Sequence, residues 1–383
     1  MKRPNPLIYI FFGFLLRVFA KLKGQKIVRL ANIERPSIVL GNHGSWYDFI
    51  YMISALYPKR ITFVAADKFF YDPLLKIFMG MDRAIQKSLF QSDPIATMKI
   101  YRTLKKSKGI VGIYPEGQIS PIGKFAPFNE AIGKLAKKAN VPVYMTKHVG
   151  AYFINPPWSK KTFKGKMETV VDLIVSTEDM KTMTEDEINQ KIREKLYFNS
   201  AEYNETAKRQ YRLNDVDNLE SVVYQCPVCK AEHMTSVKTG LQCPDCKRTY
   251  DYDVYGKIGG YRIDELYDMQ AAYVKDLFDK NPDFTLHADV ELESYRNKRL
   301  AVVGEGTLKL SKAGYLFEGI VDHEFRTFTF NPKRIPTLAG DLGINVQIYE
   351  GYQIYEFVFS DKHIPSKFAL AAEYLYAEAN KEA

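Results

Sequence analysis

His43 and Asp48, five residues apart in GNHGSWYDF, are the first pair in this sequence whose types could do acid–base chemistry. An imidazole with an ordinary pKa near 6.5 suits proton removal at neutral pH. A carboxylate on one ring nitrogen would fix the tautomer, leave the other nitrogen as the base and stabilise the imidazolium as it forms. No serine or cysteine stands clearly placed as a covalent partner. The simplest chemistry is therefore deprotonation of a substrate hydroxyl, which then attacks an activated acyl group. A plainer alternative uses the same residues: Ser45-x-x-Asp48 is a capping arrangement ahead of an apolar helix, with His43 an ordinary loop residue. His-x4-Asp alone arises readily by chance.

The four cysteines are the second chemical signal. CPVC (226–229) and CPDC (243–246) each hold a Cys-x2-Cys pair, so Cys226, Cys229, Cys243 and Cys246 can offer four thiolates. That set closes a tetrahedral zinc site with no position left for water, which makes the zinc structural and not catalytic. The signature resembles a zinc ribbon. Disulfides or a redox pair fit two equivalent pairs in a cytosolic chain less well. His233, between the pairs, is expected to be a surface residue.

Elements must bring these residues to their places. Four short apolar runs read as strands: Ser37–Leu40, Ile61–Ala65, Ile110–Tyr114 and Val141–Met145. Helical patterns lie between them at Trp46–Leu56, Pro94–Lys106 (capped by Asp93) and Glu130–Ala139 (ended by Asn140). Alternating strands and helices predict an α/β domain with a mostly parallel sheet. In such sheets ligands bind beyond the carboxyl ends of the strands. Asn42-His43 follows the first run and Pro115-Glu116-Gly117 the third, so both clusters should share one rim.

Four blocks in this stretch resemble those of the glycerolipid acyltransferases, the family that includes 1-acylglycerol-3-phosphate acyltransferase. NHGSWYD resembles its Asn-His-x4-Asp block, YPEGQIS (114–120) its Pro-Glu-Gly-Thr-Arg-Ser block and VPVYMTKHVGAY (141–152) its Val-Pro-Val strand block. MGMDRAIQKS (79–88) is similar to the block with a glycine followed by a basic residue. The resemblance covers residues 5–175. It implies His43 as general base, Asp48 as its orienter, and Glu116, Gly117 and Ser120 in acceptor binding, with Arg83 or Lys87 as the basic residue. It also implies an acyl-CoA or acyl-ACP donor, a lysophospholipid acceptor and a site at a membrane surface. Where the family has Thr-Arg after Glu-Gly, this chain has Gln118 and Ile119. A guanidinium that would grip the acceptor's phosphate is thus missing, and isoleucine cannot stand in for it. Lys87 or Lys124 takes its place, or the acceptor lacks a terminal phosphate.

Composition agrees with a folded chain that meets anions. Of 383 residues 46% are hydrophobic, and 54 Lys and Arg against 45 Asp and Glu leave a net charge of +9. That surplus suits an acidic lipid surface, a phosphorylated substrate or nucleic acid. Nucleic acid is disfavoured, because no arginine-rich stripe with interleaved aromatics surrounds the cysteines. Leu7–Phe19 is almost wholly apolar. Thirteen helical residues span about 20 Å, short of a hydrocarbon core of about 30 Å. A helix lying in the membrane interface is therefore predicted, on the cytoplasmic face and peripheral or monotopic, with a buried first helix as the alternative.

Beyond residue 175, Thr184–Phe198 reads as a helix with a Thr184/Glu187 capping box. A helix over 264–280, short β-rich runs from Thr285 to Phe359 and a last helix over Ser366–Lys381 follow. The C-terminal pattern faintly resembles a PH-like domain. The predicted divisions are a membrane-interface helix (1–25), an acyltransferase domain (26–200), a connector (201–222), a zinc ribbon (223–256) and a helix plus β-rich domain (257–383). Two further readings compete: a catalytically inactive lipid- or nucleic-acid-binding protein, and a lipid transacylase that needs no thioester.

Overall fold

The computed structural model describes residues 3–72, 75–213, 215–296, 299–351 and 353–381. It divides into two compact units, residues 1–157 with 161–212, and residues 158–160 with 213–383.

The first unit holds one seven-stranded sheet. Its strands are β1 (Gln25–Arg29), β2 (Ser37–Gly41), β3 (Ile61–Ala66), β4 (Ile85–Lys87), β5 (Ile110–Ile113), β6 (Val143–Val149) and β7 (Met167–Val175). They lie in the order β1-β7-β6-β2-β5-β3-β4. Every adjacent pair is parallel except β6 with β7. The helices are α1 (Pro6–Leu22), α2 (Asp48–Leu56), α3 (Leu75–Met81), α4 (Pro94–Lys105), α5 (Ala131–Ala139), the single turns α6 (Ala151–Ile154) and α7 (Asp179–Thr182), α8 (Glu185–Leu196) and α9 (Ser200–Ala207).

The predicted strands and helices stand within a few residues of their places. Asp93 accepts from the Ala96 N–H at 2.8 Å to start α4. Asn140, in the left-handed region that asparagine tolerates, ends α5. The capping box of α8 forms, with Glu187 N donating to Thr184 and Thr184 N to Glu187.

Side chains along β2 alternate between two layers, because successive residues of a strand face opposite ways. Ile38 and Leu40 pack with Leu104 of α4, Ile132 and Ala136 of α5, and Ile188 and Ile192 of α8. Val39 packs with Tyr9 of α1 and Met52, Ile53 and Leu56 of α2. A strand buried on both faces explains why the β2 run is apolar throughout.

α1 is neither fully buried nor free. Asn5 caps it through Leu7 N (3.0 Å) and Ile8 N (3.3 Å). Tyr9, Gly13 and Ala20 form the buried stripe. A Cβ at Gly13 would sit 3.3 Å from the Tyr57 ring, so glycine permits the close approach there. The opposite face leaves Leu7, Phe11 and Phe14 81%, 61% and 53% exposed. Among the described residues no helix is long and apolar enough to cross a membrane.

Two features depart from the sequence reading. β7, which the periodicity does not single out, returns antiparallel to β6 after residues 150–166, which carry α6, in a sheet that is otherwise parallel as expected. The stretch predicted as a connector carries α9, capped by Asn199 through Ala201 N (3.1 Å) and Glu202 N (3.2 Å). The first unit runs on to Arg212 because Tyr211 packs onto Gly165, where a Cβ would lie 2.2 Å from its ring.

In the second unit β8 (Thr235–Val237), β9 (Gly240–Gln242) and β10 (Thr249–Asp251) form a small antiparallel sheet around the cysteines. β11 (Lys257–Ile258) and β12 (Tyr261–Arg262) pair as a hairpin, and α10 (Ile263–Lys280) follows. β13 (Leu286–Arg296), β14 (Arg299–Ser311), β15 (Gly314–Val321), β16 (Glu324–Phe330), β17 (Asn345–Glu350) and β18 (Gln353–Phe359) make a six-stranded antiparallel sheet, ordered β16-β15-β14-β13-β18-β17. α11 (Ile364–Ala379) closes the unit, with Phe368, Ala371, Ala372 and Leu375 buried. The β-rich C-terminal region and its last helix are thus as the sequence predicts.

Candidate active site

β2 and β5 are adjacent and parallel, with Leu40 opposite Ile113, so the loops that leave them emerge side by side at one edge. The first loop carries Asn42 and His43, the second Tyr114, Pro115 and Glu116. This is the shared rim that the sequence predicts.

His43 Nδ1 lies 3.0 Å from Asp48 Oδ2. The same oxygen accepts from Gly44 N and Ser45 N, each at 2.8 Å. Asp48 is fully buried at the start of α2, and its second oxygen has no hydrogen-bond partner among the described residues. The two readings of the sequence are therefore both present in one residue: Asp48 secures the turn before α2 and orients the imidazole. Because a carboxylate only accepts, it holds the proton of neutral His43 on Nδ1 and leaves Nε2 with a free lone pair.

The backbone under His43 is clamped from the β5 loop. His43 N donates to Glu116 Oε1 at 2.7 Å, and Ala126 N donates to Glu116 Oε2 at 2.9 Å. Ser120 N donates to His43 O at 2.7 Å, and Ser120 Oγ to Lys124 O at 2.7 Å. Glu116 and Ser120 are both buried. Burial holds the Glu116 carboxyl well above its ordinary pKa, against the two N–H bonds that favour its charge.

Tyr114 supports the imidazole ring. The two rings stack with centroids 4.3 Å apart and planes 24° from parallel. The phenol can lie there because residue 41 has no side chain; a Cβ on Gly41 would meet Tyr114 Cε1 at 2.5 Å. Behind the loop, Asn42 Oδ1 accepts from His148 N at 2.7 Å, tying β2 to β6. His148 Nδ1 is 3.2 Å from Thr169 Oγ1, which also accepts from Gln25 Nε2 at 2.7 Å. Burial lowers the His148 pKa to about 4, so its ring is neutral and puts no positive charge behind the His43–Asp48 pair. Sequence reasoning passed over both Tyr114 and His148; only the position of Tyr114 beside Pro115-Glu116 could have flagged it.

Gly117 takes φ +76° and faces the Phe90 ring, 3.4 Å from where a Cβ would be. Lys87 ends β4, at the same edge of the sheet, and its ammonium donates to Ser88 O (3.0 Å) and Gln91 O (3.1 Å). Burial lowers the Lys87 pKa. Two of its three N–H donors are thus engaged, which leaves one for an anion. Arg83 is exposed in the turn before β4.

The four cysteine sulfurs lie within 4.8 Å of one another. Cys226 Sγ is 3.8 Å from Cys246 Sγ, and Cys229 Sγ 3.4 Å from Cys243 Sγ. Four Zn–S bonds of 2.3 Å give a tetrahedral edge of about 3.8 Å. Donor set and spacing therefore fit a closed tetrahedral metal site, with no disulfide formed.

The region that carries these residues is similar to known acyltransferases. The Acyltransferase family model matches residues 21–172. The 1-acyl-sn-glycerol-3-phosphate acyltransferase of Pseudomonas aeruginosa is 26% identical over 187 residues, covering 46% of this chain and 69% of that protein. The crystal structure of the 1-acyl-sn-glycerophosphate (LPA) acyltransferase PlsC from Thermotoga maritima aligns with a TM-score of 0.41 at 20% identity, over 52% of this chain and 78% of that one. Residues 21–172, which contain the four sequence blocks, thus match an acyltransferase domain and are similar to glycerolipid acyltransferases.

Proposed function

We propose that this enzyme transfers a fatty acyl group from an acyl thioester, acyl-CoA or acyl-ACP, to a hydroxyl of a lysophospholipid such as 1-acylglycerol-3-phosphate. The observation that carries the reading is the His43–Asp48 pair at 3.0 Å, with Nε2 left free at the strand-end edge. Nε2 takes the proton of the acceptor hydroxyl as its oxygen attacks the thioester carbonyl. The tetrahedral adduct collapses, the C–S bond breaks, and the imidazolium returns the proton to the departing thiolate. Asp48 stabilises the imidazolium between the two steps.

Glu116 and Ser120 spend their polar atoms on the backbone of the loop. In this reading they shape the floor of the acceptor site and do not grip the acceptor itself. Gly117 lets the acceptor come close to the backbone, and Lys87 offers its remaining N–H to a phosphate in place of the arginine that Ile119 displaces. Arg83, on the same block, is the alternative cation. The Cys226/Cys229/Cys243/Cys246 set holds a structural zinc. The exposed apolar face of α1 lies in the interfacial layer of a membrane, peripherally on its cytoplasmic side, where the donor and lysolipid are presented.

The test is thiol release from an acyl-CoA in the presence of 1-acylglycerol-3-phosphate and a panel of other lysolipids, with the product identified by mass spectrometry. His43→Ala should lower the rate ~10² to 10⁴-fold, the range for loss of a positioned general base. A variant as fast as the unmodified enzyme, or no transfer from any thioester, would overturn the reading.

A further inference from the structure

Outside the cysteine cluster, His233 of the second unit meets two side chains remote from it in sequence, Asp361 and His363. Their candidate ligand atoms lie within 4.8 Å of one another. His233 Nε2 is 2.9 Å from Asp361 Oδ2, and His363 Nδ1 is 2.6 Å from Asp361 Oδ1. The two imidazoles thus meet different oxygens of one carboxylate. Their rings are 5.0 Å apart at 72°, splayed about a common point.

The far side of His363 decides how this cluster reads. Its Nε2 is 2.8 Å from the Met234 carbonyl oxygen. A carbonyl only accepts, so Nε2 carries the proton. In a neutral ring Nδ1 then has a bare lone pair, and that lone pair faces the carboxylate, which also only accepts. Two acceptors at 2.6 Å repel unless a proton on Nδ1 or a metal ion lies between them. An imidazole anchored through one N–H to a backbone carbonyl is also how protein scaffolds orient metal-ligating histidines, whose other nitrogen faces the ion.

We propose that His233 Nε2, Asp361 and His363 Nδ1 form a second metal site, for a divalent transition ion such as Zn²⁺. Two imidazoles and a carboxylate suit that class of ion better than Mg²⁺ or Ca²⁺, which prefer all-oxygen sets. Tetrahedral metal–ligand bonds of 2.0–2.2 Å put neighbouring ligand atoms about 3.4 Å apart, so the His233–Asp361 spacing of 2.9 Å would open by about half an ångström around the ion. Three protein donors leave a position open to water, unlike the closed cysteine set. His233 comes from the loop that follows the first cysteine pair, and Asp361 and His363 from the turn that leads into α11. The ion would therefore bind the ribbon to the last helix. The nearest cation on α11, Lys367, is already paired with Glu232 at 2.7 Å, so it does not fill the site.

The test is Zn²⁺ titration of the full chain with its cysteine set already loaded, followed by calorimetry and by metal analysis after gel filtration. A second equivalent should bind, and His233→Gln, whose side chain is 60% exposed and so safe for folding, should weaken that step at least ~10-fold. Asp361→Asn and His363→Gln should do the same, with the first equivalent retained throughout. Absence of a second equivalent in the unmodified chain would overturn the proposal. So would a second equivalent that His233→Gln and Asp361→Asn leave unaltered, or a ¹⁵N spectrum with His363 protonated on both nitrogens in Zn²⁺-saturated protein.

Discussion

Asp48→Asn separates the two tasks of this carboxylate. Oδ2 accepts from three N–H groups: His43 Nδ1 at 3.0 Å and the Gly44 and Ser45 amides at 2.8 Å. An asparagine must put its oxygen there, because an NH₂ would oppose both amides. Its nitrogen falls where the Asp48 oxygen has no hydrogen-bond partner among the described residues. The two amides therefore lock the side-chain amide the right way round, and His43 keeps its proton on Nδ1. What is lost is the charge. Hydrogen bonds to charged groups contribute about 1.5–3 kcal/mol and neutral ones about 0.5–1.5, so the imidazolium loses about 1–2 kcal/mol of support. That corresponds to about a 5- to 30-fold fall in kcat. Where an amide in this role forces the wrong tautomer, the loss is about 10⁴. The assay is the initial rate of thiol release at saturating acyl-CoA and lysolipid, beside thermal unfolding to show that the fold persists. A fall as deep as that of His43→Ala, in a folded protein, would refute the claim that Gly44 and Ser45 fix the orientation. An unchanged rate would refute a part for the charge.

Gly41→Ala should push Tyr114 off the imidazole, since the new methyl would lie 2.5 Å from its ring; we expect a loss of about 1–3 kcal/mol in denaturant unfolding and a lower kcat, whereas adding Tyr114→Leu to Gly41→Ala should recover stability without restoring the rate. His148, neutral in the fold down to about pH 4, binds a proton in the unfolded chain below about 6.5, so its contribution to stability is present above that pH and fades as pH falls toward 4. Asp82, raised to about 8 by burial, works in the opposite sense over the same range, losing stability as pH rises. The difference between the unmodified chain and His148→Asn isolates the histidine: the variant should lose about 1 kcal/mol less between pH 7.5 and 5.5, read from urea midpoints. Charging the open face of α1 by Leu7→Glu, Phe11→Glu and Phe14→Glu should abolish flotation with anionic vesicles while leaving circular dichroism unchanged, as each side chain withheld from the lipid forfeits about 1.5–3 kcal/mol; persistent flotation would place the membrane contact elsewhere.

Local chemistry settles much of this protein before it folds. Asp93, Thr184 and Asn140 mark helix ends because their side chains or backbone preferences satisfy nearby groups, and all three mark them in the structure. The apolar run of β2 already announces a strand covered on both sides. The His43–Asp48 spacing and the spacing within each Cys-x2-Cys pair are short enough that a turn or a knuckle alone can close them, while joining the two knuckles takes the ribbon's fold. Tertiary structure decided everything that needs two distant segments. The family resemblance implies a part for Glu116 in acceptor binding; that its oxygens meet the His43 and Ala126 amides follows only from the pairing of β2 with β5. His148 carries no periodic or spacing signal and Tyr114 only its place beside Pro115-Glu116, and both gain their positions beside and behind the site from strand register. The antiparallel return of β7 depends on pairing across the sheet, which no local pattern encodes. His233 and His363, far apart in the chain, meet only because α11 begins beside the ribbon loop. Contacts within about five residues follow from side-chain preference and chain geometry; longer ones follow from which buried faces find each other, and that information is spread over the whole chain.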